Sequence, residues 1–337
     1  MSPRKQEPPY PQPRRPDLDT CLVVGVSSSA LFDLTESDAY FREHGEDAYR
    51  DYQDERLDAP LRQGVAFPFI AGLLRLNDLD AEAAVVEVIV LSKNDASTGL
   101  RVMRSIQHYG LPITRAVFTQ GQAPYGYIQA LGMSLFLSGD PDDVANALAA
   151  GFPAGHVLPS TAAYDATDPK LRIAFDFDGV LADDESERTY KTKGLARYQK
   201  AEAGRRDQAL APGPLQRFLA DLNRIQDLEA ARVAHDPSYT PRVRIALVTA
   251  RNAPAHERAV NSLREWGVRV NDAFFLGGVD KARVLRVFKP HLFFDDQRVH
   301  LDEALAEVAG VHIPYGLANA QARPASRPRR GEAGETQ

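Results

Sequence analysis

The segment Leu171-Arg-Ile-Ala-Phe-Asp-Phe-Asp-Gly-Val180 joins a short apolar run to two closely spaced aspartates, Asp176 and Asp178. A short apolar run of this kind is typical of a buried strand in a parallel sheet. Because side chains alternate along a strand, the two aspartates are expected on the same side. Carboxylates so close repel each other unless a cation or a shared proton intervenes. The segment therefore predicts a buried strand that ends at a charged site.

Three more apolar runs follow in the second half of the chain, at 243–249, 273–276 and 292–294. The first of these ends in Thr249, Lys281 follows the second, and Asp295 and Asp296 follow the third directly. The runs alternate with helical patterns, which predicts an α/β fold with a mostly parallel sheet. Sites in such sheets form at the carboxyl ends of the strands. The four polar strand ends are therefore expected to meet in one site.

One helix is expected between the runs at 243–249 and 273–276, with Pro254 in its first turn and Gly267 just after its last. A matching helix in the first half is expected to begin at Ser97 as N-cap. Its apolar stripe should face the core, and consists of Leu100, Met103 and Ile106.

The residue types at the four strand ends indicate phosphoryl transfer. Carboxylate oxygens suit octahedral Mg²⁺, which would neutralise them and bridge to a phosphate oxygen. A carboxylate such as Asp176 can attack phosphorus to give an aspartyl-phosphate, which water then hydrolyses. Lys281 and the Thr249 hydroxyl would hold the remaining phosphate oxygens. Asp178 can protonate the leaving alkoxide and later activate water.

The chain also contains an internal repeat, in which residues of the same type recur at a fixed spacing. At 149 positions the pairs are Glu36 and Glu185, Ser37 and Ser186, Gly45 and Gly194, Tyr49 and Tyr198. At 157 positions they are Arg101 and Arg258, Ser105 and Ser262, Gly110 and Gly267, Gly121 and Gly278. The pattern predicts two tandem copies of one α/β fold, at 20–160 and 171–320, joined by a linker at 161–170.

Length and composition agree with two domains, because 337 residues fit two units of roughly 150 each. The terminal segments 1–19 and 321–337 are rich in Pro, Arg, Glu and Gly and are expected to be disordered tails. The net charge of −6 argues against nucleic-acid binding. The chain has one cysteine, no apolar stretch near ~18 residues and no apolar core of a signal peptide. A cytoplasmic protein without a membrane partner is therefore expected.

The order Asp-x-Asp-x-Val, Thr, Lys and Asp-Asp resembles the haloacid dehalogenase superfamily of phosphohydrolases. The resemblance implies that Asp176 is the nucleophile and Asp178 the general acid and base, while Thr249 and Lys281 bind phosphate. Together with the internal repeat, the resemblance predicts a fold of two tandem Rossmann-like repeats, the first degenerate and the second catalytic with a small helical cap. The metal ligands that it implies for Mg²⁺ are Asp176, Asp178 through its carbonyl, and Asp295 or Asp296.

A longer resemblance covers most of the chain from Cys21 to Gly316, and connects it with the cytosolic 5′-nucleotidase type I family. It implies hydrolysis of nucleoside 5′-monophosphates, with AMP prominent among them, to nucleoside and phosphate. The strings that carry it are Val26-Ser-Ser-Ser-Ala-Leu-Phe32, Gly64-Val-Ala-Phe-Pro68, Asp183-Asp-Glu-Ser-Glu187, Val248-Thr-Ala-Arg251, Arg264-Glu-Trp-Gly267 and Phe293-Phe-Asp-Asp-Gln297.

Further substrate contacts are expected from two places. Arg251 and Asn252 lie at an expected helix start, where backbone N–H groups favour anions. In the first half Ser27 and Ser29 stand where the catalytic aspartates stand in the second, so this half is not expected to bind Mg²⁺. It is either a scaffold, or its strand ends (Ser27, Ser29 and Asn94 among them) hold a nucleotide as substrate base or as effector.

Two other functions stay open from the sequence. The fold and motifs do not fix the leaving group, so the substrate could be a sugar phosphate or another small phosphomonoester. Alternatively, the chain could be a nucleotide-sensing protein whose first half is the working part. ADP or ATP as an effector and a homo-oligomeric state are open as well.

Overall fold

The structure is a computed structural model that describes residues 16–162, 164–165, 168–316 and 319. The expected tail 321–337 and all but residues 16–19 of the expected tail 1–19 lie outside the described residues. Three positions of the expected linker, 163, 166 and 167, lie outside them too.

Ten of the strands in the described part of the chain form one sheet, and a short antiparallel pair, β2 and β3, stands apart from it. The strands are β1 (Leu22–Val26), β2 (Phe32–Asp33), β3 (Arg62–Gln63), β4 (Val86–Ser92), β5 (Arg115–Phe118), β6 (Leu135–Ser138), β7 (Ala154–Val157), β8 (Leu171–Phe175), β9 (Val243–Thr249), β10 (Asp272–Phe275), β11 (Leu292–Asp295) and β12 (Gly310–His312).

Helices connect most of the strands and cover the faces of the sheet. They are α1 (Ser28–Leu31), α2 (Thr35–Glu55), α3 (Phe67–Arg75), α4 (Thr98–His108), α5 (Tyr127–Ala130), α6 (Pro141–Ala149), α7 (Glu185–Lys193), α8 (Leu195–Gly204), α9 (Gln216–His235), α10 (His256–Glu265), α11 (Ala282–Phe288) and α12 (Arg298–Ala304), with 3₁₀ turns at Leu76–Leu79 and Pro124–Gly126.

The order of strands across the sheet is β10-β9-β8-β11-β12-β7-β6-β1-β4-β5. All neighbours are parallel except β7 and β12, which pair antiparallel at the middle through Val157 with Val311 and His156 with His312. The α/β class and the mainly parallel sheet expected from the sequence are therefore confirmed. Because the central pair is antiparallel, the carboxyl ends of the first-half strands and of the second-half strands lie at opposite edges of the sheet.

The apolar runs recognised in the sequence lie in the core. Phe175 of β8 stacks on Phe294 of β11 with ring centroids 5.1 Å apart, and Phe218 of α9 packs edge-on against Phe175 at 6.0 Å. Helix α3 of the first half contacts β8, where a Cβ at Gly72 would lie 3.0 Å from Leu171. Helix α9 of the second half contacts β1 in turn. The two halves are therefore joined by a shared core as well as by the sheet.

Two details of the expected helices are wrong. Helix α10 begins at His256, because Pro254 lies in the turn before it, where the His256 N–H donates to the Asn252 carbonyl at 3.0 Å. At the start of α4, Ser97 is the N-cap residue as expected, although the Thr98 N–H is bound by Asp95 Oδ1 at 2.7 Å and not by the Ser97 side chain. The expected stripe on α4 is also corrected, since Leu100 is 45% exposed.

The close approach of Gly213 to the chain after β8 yields a stability prediction. A Cβ at Gly213 would lie 2.4 Å from the Ala182 carbonyl oxygen, whereas a Cβ at Gly204 would meet nothing within 4 Å. We predict that Gly213→Ala lowers the free energy of unfolding by about 1–3 kcal/mol through this overlap. The control Gly204→Ala, at the end of α8, should leave it unchanged or raise it by up to about 1 kcal/mol. Urea denaturation measures both, and equal stabilities would contradict the prediction.

Candidate active site

The second-half strands bring the predicted site residues together at their carboxyl ends. Asp176 directly follows β8, Thr249 ends β9, and Asp295 ends β11 with Asp296 next to it. Lys281 comes after β10, just before α11. All five side chains are buried. The structure therefore gathers in one place the four strand ends that the sequence singled out.

Lys281 lies between two of the aspartates. Its Nζ is 3.0 Å from Asp176 Oδ1 and donates to Asp295 Oδ2 at 2.7 Å. Burial opposes the charge of this ammonium group, but the two carboxylates outweigh it and raise the pKa of Lys281. The Asp295 carboxylate also lies 3.2 Å from His300 Nδ1. Although burial acts against the charge of Asp295, Lys281 and His300 hold its pKa below the usual value.

Asp296 is buried without such compensation, since neither of its carboxylate oxygens has a hydrogen-bond partner. Burial, followed by the charges of Asp176 and Asp295, raises the pKa of this carboxyl far above the usual value. The neighbouring turn must be a glycine, because a Cβ at Gly179 would lie 2.7 Å from Asp296 Cγ and the backbone there has φ +76°. The fold thus packs an unpaired carboxylate against the end of β8.

Asp176, Asp295 and Asp296 can hold a divalent cation. One carboxylate oxygen from each lies within 4.8 Å of those of the other two. Hard oxygen donors of this kind suit Mg²⁺, and a cation would supply the partner that the Asp296 oxygens lack. The side chain of Asp178 is not part of this group and turns towards Arg251. The ligand set expected from the sequence therefore fits through three side chains, with the Asp178 carbonyl still a prediction.

Arg251 binds the side chain of Asp178. The guanidinium donates to both carboxylate oxygens, from Nη2 at 2.7 Å and from Nε at 2.8 Å. Its Nη1 donates to Glu202 of α8 at 2.6 Å and to the Ala255 carbonyl at 3.1 Å. Arg251, which the sequence suggested as a substrate contact, is thus already bound on all three nitrogens.

A cavity of about 400 Å³ opens over these groups. Asp176, Asp178 and Thr249 line its floor, and Asn252 lies in its wall. Helices α7 and α8, inserted between β8 and α9, form the opposite wall as a small cap. The cap residues that line the cavity are Glu187, Tyr190, Lys191, Leu195, Tyr198 and Gln199.

Ser27, Ser29 and Asn94 are not part of this cavity. They lie at the carboxyl ends of β1 and β4, at the opposite edge of the sheet from Asp176. Four strands separate β1 from β8, a distance of roughly 24 Å at about 4.8 Å per strand. The expectation that they contact the substrate base is therefore wrong for a substrate bound at Asp176 of the same chain.

Two residues of the site, Glu202 and His300, were not predicted from the sequence. Glu202 lies in a helix of mixed charge, and its partner Arg251 is 49 positions away. His300 follows Asp295 by five positions and meets it only because the chain turns into α12. Neither has a spacing that marks a ligand or a catalytic pair, and only the folded chain brings them to the site.

The fold and the site together define an α/β protein with a buried carboxylate–lysine centre at the carboxyl edge of a parallel sheet. A family profile described as 5′-nucleotidase matches residues 15–320, and the chain belongs to this family. The human protein named Cytosolic 5′-nucleotidase 1B is 33% identical over 306 residues, which cover 89% of this chain and 50% of the human protein. The resemblance seen in the sequence motifs is thus confirmed.

The chain spans about half the length of this curated relative. No solved structure matched the chain. Within the described residues, every helix is too short or too polar to cross a bilayer.

The carboxylate of Asp296, whose oxygens have no hydrogen-bond partner, gives a prediction about metal binding. Asp296→Asn should raise the melting temperature of the protein in EDTA by several degrees, because it removes a buried charge without a partner. A carboxyl with a raised pKa destabilises the fold only above its unfolded pKa near 4, increasingly as the pH rises. The gain should therefore be larger at pH 8 than at pH 5.

Mg²⁺ should reverse this ranking. It should raise the melting temperature of the unaltered protein and have little effect on Asp296→Asn, as differential scanning fluorimetry can measure. Asp207→Asn is the matched control, since Asp207 has a side chain that is 83% exposed and should leave both results unchanged. An Mg²⁺ response retained in full by Asp296→Asn would refute the assignment.

Proposed function

We propose that the protein is an Mg²⁺-dependent phosphoric monoester hydrolase that releases phosphate from nucleoside 5′-monophosphates through an aspartyl-phosphate. The main support for this function is the buried group of Asp176, Lys281, Asp295 and Asp296 beneath an open cavity, in a chain of the 5′-nucleotidase family. The name of the human relative supports the same activity.

Asp176 is the proposed nucleophile. One carboxylate oxygen attacks phosphorus, the bond from phosphorus to the nucleoside O5′ breaks, and the phosphoryl group stays on Asp176. Burial is the main cause that raises the pKa of Asp176. The Lys281 ammonium at 3.0 Å opposes that shift and favours the ionised form that attacks. Lys281 and the Thr249 hydroxyl would then hold phosphate oxygens.

Asp178 is the proposed general acid and base. Its carboxyl lines the cavity two residues beyond the nucleophile. It would protonate the leaving O5′, and then take a proton from the water that attacks the phosphoryl group and frees Asp176. Mg²⁺, held by Asp176, Asp295, Asp296 and the Asp178 carbonyl, would neutralise the carboxylates and polarise a phosphate oxygen.

A nucleoside is favoured over a small sugar as the leaving group. The cap places two aromatic side chains, Tyr190 and Tyr198, and the apolar Leu195 in the cavity wall. Such surfaces can stack against a base, whereas a sugar phosphate has no aromatic group to place against them. Asn252, in the wall of the cavity, is the proposed contact to the sugar. With the relative named as cytosolic, we place the protein in the cytoplasm.

We also propose that the halves are tandem repeats and that the first serves as a scaffold. The strand orders β5-β4-β1-β6-β7 and β10-β9-β8-β11-β12 correspond. Ser105 Oγ accepts from the Leu61 N–H at 2.9 Å, and Ser262 Oγ accepts from the Leu210 N–H at 3.0 Å.

The first-half strand ends support the scaffold role, because their polar groups bind one another. Ser27 Oγ lies 3.0 Å from Ser29 Oγ and accepts from the Ala30 N–H at 3.1 Å. Lys93 is paired with Asp140 at 2.8 Å and with Asp143 at 2.7 Å. An ADP or ATP effector and a homo-oligomer remain predictions without further support.

Phosphate release tests the function directly. With Mg²⁺ the protein should release phosphate from AMP or a related monophosphate, and EDTA should stop the reaction. Asp176→Asn should lower kcat by at least about 1000-fold, since the nucleophile is lost. Full activity in this variant would refute the mechanism, and release from sugar phosphates alone would refute the substrate class.

The separation of the two strand-end regions gives a second kinetic prediction. Asn252→Ala should raise KM by about 2- to 10-fold, the value of one hydrogen bond. Asn94→Ala, the same change at the opposite edge of the sheet, should alter neither kcat nor KM by more than about twofold. Steady-state assays measure both, and a larger effect of Asn94→Ala would contradict the scaffold role.

A further inference from the structure

A row of charged side chains with alternating sign leads from Asp178 into the cap. Arg251 binds both oxygens of Asp178, Glu202 accepts from Arg251 Nη1, and Glu202 also accepts from Arg258 Nη1 at 2.9 Å. We call Asp178, Arg251, Glu202 and Arg258 the charged row. It connects the proposed proton donor, at the end of β8, with helix α8 of the cap and helix α10 of the sheet layer.

Asp178 and Arg251 of the charged row both line the cavity, but only Asp178 has a side chain with an appreciable exposed fraction. The Asp178 side chain is 19% exposed, whereas those of Arg251 and Glu202 are 1% and 0% exposed. Arg251 could not move to a substrate without giving up both hydrogen bonds to Asp178 and the one to buried Glu202, and lost hydrogen bonds to charged groups are costly. The geometry therefore fixes the guanidinium, and through it the plane of the Asp178 carboxyl.

The two halves of the chain differ at three of the four positions of the charged row. At the spacings of the internal repeat, Ser29, Asn94 and Gln53 stand in the first half where Asp178, Arg251 and Glu202 stand in the second. The fourth member is unchanged, since Arg101 corresponds to Arg258.

A glutamine can accept the same hydrogen bond from Arg101 that Glu202 accepts from Arg258. Gln53 Oε1 accepts from Arg101 Nη1 at 3.1 Å, as Glu202 Oε1 accepts from Arg258. Both arginines also donate from Nε to a backbone carbonyl, of Ala59 at 3.0 Å and of Gln208 at 2.8 Å. The packing of the cap thus requires a side-chain oxygen at this position but not a charge. The charge of Glu202 is present only in the half that has Arg251 and Asp178.

We propose that Glu202 and Arg251 are positioning residues that orient Asp178 for protonation of the leaving oxygen, an inference that rests on the proposed function. Glu202 holds the guanidinium, which in turn presents the Asp178 carboxyl to the cavity. Because Glu202 belongs to the cap, the cap contributes to the chemistry as well as to substrate enclosure.

The test compares two leaving groups on one nucleoside. The first substrate is the nucleoside 5′-monophosphate that the native protein hydrolyses fastest, and the second is its analogue with sulfur at the bridging 5′ position. A thiolate leaves without a proton, so the analogue does not need the general acid. The comparison uses kcat/KM, because this ratio covers the steps up to nucleoside release and omits the later attack of water.

Glu202→Gln should lower kcat/KM for the oxygen substrate by about 10- to 100-fold, part of the 10²- to 10⁴-fold that a general acid contributes. For the sulfur analogue the loss should stay below about threefold. The presence of Gln53 at the matching position predicts that this variant folds, which its melting temperature checks. Arg251→Lys keeps the positive charge but not the paired geometry, and should show the same difference between substrates.

Glu229→Gln is the matched control. Glu229 is also a buried glutamate, bound to Tyr239 at 2.8 Å and to the Arg242 N–H at 2.8 Å, but it lies on α9. It should change the melting temperature and leave the ratio of the two substrates as it is. Equal losses on both substrates, or no loss, in Glu202→Gln would overturn the inference. If the native protein hydrolyses neither substrate, the proposed function fails first.

Discussion

The burial of four charged groups at one point is the constraint on which the rest of the site depends. Asp176, Asp295 and Asp296 carry three negative charges when ionised, and Lys281 carries one positive charge, which leaves a net charge of −2. Charges are expensive to bury unless they are paired. A single divalent cation matches this charge, whereas one monovalent ion or one further lysine would leave it incomplete.

The same constraint explains where the fold allows such a centre. Four parallel strands present their carboxyl ends side by side, so short side chains reach one point without a long loop. Close packing is needed as well, because Gly179 leaves no room for a side chain beside Asp296. At the antiparallel joint between β7 and β12 the direction of the strands reverses. The carboxyl ends of the strands in the two halves therefore cannot lie together in one site.

The sequence predicted well which strand ends meet at the candidate site, because the information is local. Val243–Thr249 is an apolar run interrupted only by the exposed Arg244, and the run ends at the polar residue that reaches the site. Contacts between residues far apart in the chain could not be predicted from the sequence pattern. The joint between β7 and β12 involves two strands of four and three residues, too short to be distinguished by pattern. The start of α10 also differed, since a proline can precede a helix in a turn as readily as begin it.

Helix α2 stands in the first half where the cap helices α7 and α8 stand in the second, at the spacing of the internal repeat, and the two caps share one packing feature. Phe41 and Tyr49 meet edge-on at 5.3 Å in the first half, and Tyr190 and Tyr198 meet in the same way at 5.9 Å in the second. The edge-on pair therefore holds the two helical segments together, whatever else it contacts.

The difference between the caps lies one turn further along the helix. Tyr52 of the first half is buried, stacks on Tyr40 at 4.3 Å and donates to Glu36 at 2.9 Å. At the matching position the second half has Ala201. An alanine can make neither the stacking contact nor the hydrogen bond of that tyrosine. Glu185, which corresponds to Glu36, is bound in the second half by Arg205 and Arg258 instead. The two caps therefore hold the same glutamate through different partners, a tyrosine in the first half and two arginines in the second.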